Sequence, residues 1–170
     1  CGMDRIEGYH HVDLLPACQP DEVRDLLSDE PWPWTEVEDI HIKHYVEHIP
    51  HGMGAKDGFV RFFEKCWKVL KHHGTMTIWY PWYTSIGAYA DPTHRRVITP
   101  LTFGYLSQAW LLSRKIQHYD IACDFEVIST ACTVGGYAMN VSEAERDTAM
   151  GTMWNGVHEG VTVLRAVKTS

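Results

Sequence analysis

Between residues 38 and 82 the hydrophobic pattern changes period twice, which predicts a strand, a helix and a second strand. Ile40, Ile42 and Tyr45 form a short apolar run that ends among polar groups, His44, Glu47 and His48. From Phe59 the spacing turns helical. Phe59, Phe62, Phe63, Cys66, Val69 and Leu70 share one face, with Lys65, Lys68 and Lys71 on the other. Lys71, His72, His73 and then Gly74 predict the helix end. Cations suit the negative end of the helix dipole, and glycine enters the left-handed region without strain. Residues 75–82 are β-branched and aromatic, contain Pro81 near their end, and predict a strand. A strand–helix–strand unit of this size implies a parallel pair joined by a right-handed crossover, the repeating unit of α/β domains.

The flanks add to this pattern. Residues 9–15 predict a strand and residues 23–27 a shorter one, and the Pro-Trp-Pro-Trp run at 31–34 is a rigid loop. Thr99-Pro100 has the cap-then-proline form of a helix start, and Phe103, Leu106, Trp110, Leu111 and Leu112 mark its buried stripe. Residues 125–134 predict a strand broken by Gly135-Gly136. Ser142 and Glu145 have capping-box spacing, and residues 157–167 alternate as a last strand.

A length of 170 residues with 45% hydrophobic content suits one domain, residues 1–170. No apolar run approaches the ~18 residues of a membrane span, and the N-terminus has no signal-peptide pattern, so the expectation is a cytoplasmic protein with no membrane partner. Five scattered cysteines without a Cys-x-x-Cys pair argue against a disulfide framework and a zinc ribbon. A net charge of −7 argues against nucleic acid as a partner, although His94-Arg95-Arg96 is a local basic spot that suits an anionic substrate. Self-association into a homo-oligomer is compatible with this composition.

Several strings together resemble the class I S-adenosylmethionine-dependent methyltransferases. The run VEDIHIKHYVEHI and the later KVLKHHGTMTI are similar to that family's fourth strand, the turn after it, and the helix end before strand five. His73 stands where the family usually has the first of two glycines. Cys1-Gly2, Gly8-Tyr9 and Val12-Asp13-Leu14 resemble the end of its glycine-rich motif I and its second strand, and Asp91-Pro92-Thr93-His94 with Thr99-Pro100 resembles the segment after strand five in one branch. The resemblance implies an α/β fold: a Rossmann-like methyltransferase sheet flanked by helices, in the order 3-2-1-4-5-7-6 with strand 7 antiparallel. It also implies that this sequence begins within motif I, so that strand 1 is missing from it. Upstream residues or another segment would then have to fill a slot whose backbone would otherwise lack partners.

The resemblance further implies S-adenosylmethionine as cofactor. Cys1, Gly2, Asp13, Leu14, Asp25, Leu26, Lys43 and His44 fall at the family's cofactor-binding positions. Asp13 would accept from the ribose hydroxyls; on position alone it serves equally well as a loop acid capping the next turn. Asp91 and His94 are the candidate catalytic residues, with a capped turn and a pinned loop as the structural alternative. The run KHYVEHIP stands where the DNA-amino methyltransferases carry Asn/Asp-Pro-Pro-Tyr, which argues against that chemistry, and an acidic chain with an aromatic lid suits a small-molecule or sugar acceptor better than DNA. Two other functions stay open, a methyltransferase-like module without catalysis and an NAD-binding domain; the KVLKHHG helix end and the antiparallel last strand argue against the second. His44 and His48 are four apart, as in zinc-binding helices, but no third ligand follows at a diagnostic spacing. The expectation is therefore no metal, with Glu47 and His48 fixing the loop through local hydrogen bonds.

Overall fold

A computed structural model describes residues 5–52, 56–134, 142, 145, 148, 150 and 152–168. Its main sheet holds β3 (Val37–Lys43), β4 (Leu70–Pro81), β6 (Val157–Ala166) and β5 (Phe125–Val134), in the order β3-β4-β6-β5. β3 and β4 are parallel, and β6 runs antiparallel to both β4 and β5. These four match the 4-5-7-6 part of the expected order, including its antiparallel last strand. β1 (Val12–Asp13) and β2 (Glu22–Val23) form a separate parallel pair and fall in sequence where strands 2 and 3 were expected. Both are shorter than the pattern predicted. Around them the chain turns, with the Tyr9 amide donating to the Ile6 carbonyl at 3.3 Å and the Leu27 amide to Asp25 Oδ1 at 2.8 Å. No strand joins β1 to β3 among the described residues. Side chains link them instead: Tyr9 Oη donates to Asp39 Oδ2 at 2.5 Å and lies 3.0 Å from His41 Nε2.

The crossover helix α1 (Gly58–Val69) starts at Asp57, whose Oδ1 accepts from the Phe59 amide at 2.9 Å. Phe59, Phe62, Phe63, Cys66 and Val69 are buried as their spacing required. The helix end is a correction. It stops at Val69, Leu70 turns to extended backbone, and Lys71, His72 and His73 belong to β4. The left-handed residue is His73, with φ of 65°, and not Gly74. β3 pairs Val37 with Leu70 and then Asp39 with Thr75, so β4 bulges between those partners. Glycine is required at 74 for a different reason: a Cβ there would lie 2.9 Å from the Val37 carbonyl oxygen.

The core lies between α1 and the sheet, where Phe63, Tyr80, Phe103 and Phe125 are all fully buried. The Phe63 and Phe103 rings are 6.1 Å apart and the Tyr80 and Phe103 rings 5.3 Å. Tyr80 lies against Gly160 of β6, where a Cβ would approach the ring to 2.7 Å. After Thr99 the chain makes a 3-10 turn (Pro100–Leu106), and Ser107 then caps α3 (Gln108–Arg114). Thr99 and Pro100 start this segment as predicted, but the single helix is split and Leu112 is exposed, so the buried stripe omits it. Gly135-Gly136 lies outside the described residues. Ser142 and Glu145 do meet, with the Ser142 amide donating to Glu145 Oε2 at 3.2 Å. No helix among the described residues is long and apolar enough to cross a membrane.

Candidate functional site

Because β3 and β4 are parallel, the loops leaving their carboxyl ends meet on one edge of the sheet. The first loop turns through His44, held at φ of 48°, into a 3-10 turn (Val46–His48). The second contains α2 (Gly87–Ala90) and the Asp91-Pro92-Thr93-His94 string. The two are latched together. The Arg95 and Arg96 amides donate to the Glu47 carbonyl at 2.8 and 3.3 Å, and His51 Nε2 lies 2.8 Å from the Arg95 carbonyl. The Arg96 guanidinium donates to the Ile49 and Pro50 carbonyls at 3.1 and 3.2 Å and to Asp57 Oδ1 at 2.9 Å. A cavity of about 700 Å³ results, with His44, Glu47, His48, Asp91, His94 and Glu159 among its lining.

The polar groups of this cavity form an ordered set. His44 bridges two acids, with Nε2 2.7 Å from Glu159 Oε1 and Nδ1 3.2 Å from Glu47 Oε1. The Glu47 hydrogen bond does most to raise the His44 pKa; burial opposes it and Glu159 adds to the rise. Glu47 is 1% exposed, and its second oxygen, Oε2, has no hydrogen-bond partner. Asp91 accepts from the Thr93 hydroxyl and amide, each at 2.7 Å. Those two bonds, the hydroxyl first, hold its carboxyl below the usual range. Thr93 Oγ1 in turn lies 3.0 Å from His48 Nδ1, and His94 Nδ1 lies 3.2 Å from the Ala88 carbonyl. The His48 and His94 rings stand edge to face at 4.7 Å.

Asp91, His94 and His44 thus share one cavity. The rest of the expected cofactor set lies elsewhere. Cys1 and Gly2 fall outside the described residues. Asp13 Oδ1 accepts from the Leu15 amide at 2.9 Å, the turn-capping geometry, and Asp25 closes a similar turn. Both carboxylates nevertheless lie close enough to Tyr45 to raise its phenol pKa further, after burial, which is the main cause. Leu14 is exposed, Leu26 packs on the core, and Lys43 is exposed at the end of β3. Sequence reasoning missed Glu159. It sits in the plain alternation of β6, and only the pairing of Pro81 with Glu159 across β4 and β6 brings it to the cavity.

No protein-family model and no curated protein sequence matches the chain. Solved structures do. A protein from Galdieria sulphuraria, assigned as a sarcosine dimethylglycine methyltransferase, superposes with a TM-score of 0.51 at 13% identity, over 94% of this chain and 69% of that one. The chain has the class I methyltransferase fold. A SAM-dependent methyltransferase from Archaeoglobus fulgidus also matches, with a TM-score of 0.49 at 17% identity, over 91% of this chain and 74% of that one. In such a fold, ligands bind beyond the carboxyl ends of the parallel strands. The cavity lies at that edge, beyond β3 and β4.

Proposed function

We propose that this chain is an S-adenosylmethionine-dependent methyltransferase acting on a small-molecule or sugar acceptor. The observation that carries this reading is the cavity after β3 and β4, which holds Asp91, His94 and His44 at the carboxyl ends of the parallel strands. The residues fit the cofactor chemically. Asp13 ends β1 and Asp25 lies in the turn two residues after β2, and both are carboxylates suited to accept from the ribose hydroxyls and the adenine amino group. The cofactor supplies an electrophilic methyl carried on a sulfonium. What this chain contributes is alignment, since in-line displacement depends on holding nucleophile and methyl in register.

A hydroxyl or ammonium acceptor also needs a base. The Ala88 carbonyl can only accept, so His94 carries its proton on Nδ1 and keeps the Nε2 lone pair free. Asp91 Oδ2 lies 4.0 Å from that nitrogen. For the acceptor, the favouring feature is aromatic. Tyr89, on the helix whose Gly87 and Ala90 line the cavity, stacks on Trp154 at 5.4 Å, and both are more than half exposed. Exposed stacked rings suit the apolar face of a sugar better than a phosphate backbone, in keeping with the acidic charge.

Calorimetric titration of the protein with S-adenosylhomocysteine tests the cofactor reading. Micromolar binding that Asp13→Ala abolishes is the expected result. No binding by a folded sample leaves the fold standing and overturns the enzyme. Full activity of both His94→Ala and Asp91→Asn would remove those two residues from the chemistry.

A further inference from the structure

We propose that Glu47, His48 and His94 form a binding site for one divalent transition-metal ion, with Zn²⁺ the expected occupant. One ligand atom from each of the three lies within 4.8 Å of the others. The hydrogen bonds around them show which atoms are left to bind an ion. Asp91 as a carboxylate only accepts, so the Thr93 hydroxyl gives it its proton and must itself accept from His48 Nδ1–H. His94 Nδ1–H is committed to the Ala88 carbonyl. Both imidazoles are therefore held in the tautomer that keeps a lone pair on Nε2. Glu47 uses Oε1 for His44 and leaves Oε2 without a partner.

That oxygen is the second observation, independent of the clustering. A carboxylate 1% exposed with one oxygen unsatisfied is a costly arrangement, and in native proteins such groups are paired or coordinate a metal. The surroundings have the form of a metal site's outer layer. Ligating histidines donate their other N–H to a carbonyl, a carboxylate or a group relayed to one, which fixes ring and tautomer. His94 does so to a backbone carbonyl, and His48 does so through Thr93 to Asp91. His44 is excluded as a ligand, because Glu47 and Glu159 occupy both its nitrogens; it steadies Glu47 instead.

Two imidazoles and one carboxylate select a borderline divalent ion over Mg²⁺ or Ca²⁺, which take oxygen. Tetrahedral Zn²⁺ with bonds of about 2.0–2.1 Å places its ligand atoms roughly 3.4 Å apart, so the three side chains need only a small inward movement. Three protein ligands leave one position open to the cavity, for a water or an oxygen of the bound molecule. The spacing of His44 and His48 had suggested a histidine pair lacking a third ligand. The structure replaces His44 with His94, which comes from a different loop.

This inference rests on these side chains alone and does not depend on methyl transfer; it takes the His94 Nε2 lone pair, so His94 serves as ligand or as base and not as both at once. The test uses the full chain stripped with a chelator, then titrated with Zn²⁺ in competition with a chromophoric chelator. One ion per chain is expected. His48→Ala and His94→Ala should each weaken binding at least about 100-fold, and Glu47→Gln, which keeps the shape, should also weaken it. Thr93→Val should cost roughly 10–100-fold by releasing the His48 tautomer. His118→Ala, a histidine beside Tyr119 away from the site, should change nothing. Co²⁺ substitution adds a spectral readout, with the visible bands of a four- or five-coordinate ion lost in His94→Ala. Absence of stoichiometric binding, or binding that survives both histidine variants, overturns the site. S-adenosylhomocysteine titration of the same stripped sample reports on the cofactor pocket separately.

Discussion

Arg96 is the residue whose loss should most disturb the candidate site without touching its lining. Its side chain is 13% exposed and lies over the Phe59 ring at 5.1 Å. It donates to the Ile49 carbonyl at 3.1 Å, to the Pro50 carbonyl at 3.2 Å and to Asp57 Oδ1 at 2.9 Å. It therefore ties the loop after β4 to the loop after β3 and to the start of α1. Arg96→Ala leaves two backbone carbonyls and a helix-capping carboxylate without their cation. Hydrogen bonds to charged groups are worth about 1.5–3 kcal/mol each and are not additive. Breaking a fully buried ion pair costs about 3–5 kcal/mol. Asp57 is 34% exposed, so water recovers part of that loss, and about 3 kcal/mol is expected. For a chain of this size that corresponds to a fall in Tm of about 9 °C. Urea unfolding of the wild type, Arg96→Ala, Asp57→Asn and the double variant gives both the loss and the coupling between the two residues. A loss below about 1 kcal/mol, or additive single variants, would refute the clamp.

The same pair sets an acid limb. Burial alone would raise Asp57, but Arg96, the Phe59 amide and His51 outweigh it and hold the carboxyl below its usual value of 3.8. A depressed folded pKa stabilises fully above the unfolded value, and the contribution is lost as pH falls through the folded one. Wild-type stability should thus drop below about pH 4 more steeply than that of Asp57→Asn, as unfolding curves across pH 2–6 will show. His73→Gly should stabilise the chain by about 1 kcal/mol, since His73 holds a left-handed backbone. Gly74→Ala should destabilise it through contact with the Val37 carbonyl oxygen; the opposite pair of signs in thermal unfolding would restore the helix end expected at Gly74. Gly160→Ala should cost about 1–3 kcal/mol, because the new methyl would press on the buried Tyr80 ring; an unchanged Tm would show that the ring has room to move.

The sequence by itself determined the elements that a single face or a period-2 alternation defines. The Phe59–Phe62–Phe63–Cys66 stripe became the buried face of α1, residues 125–134 became β5 without a change of boundary, and the last strand lies antiparallel where the family resemblance put it. Local pattern was enough there because burial against one sheet rewards that spacing alone. The helix end was decided by tertiary structure. Lys71, His72, His73 and Gly74 have the chemistry of a stop signal, but pairing of β4 with β3 drew them into the strand and shifted the left-handed residue by one.

The site shows the same division. Asp91, His94 and His44 were legible because they fall on loops at the carboxyl end of the sheet, and strand order fixes that end. Their partners were not legible. Glu159 reaches His44 only through the β4–β6 register, and Glu47 and His48 meet His94 only because the Arg95 and Arg96 amides close one loop on the other. Sequence spacing encodes which side chains share a face of one element. Contacts between loops depend on backbone hydrogen bonds that any residue can make, so the folded chain alone decided them.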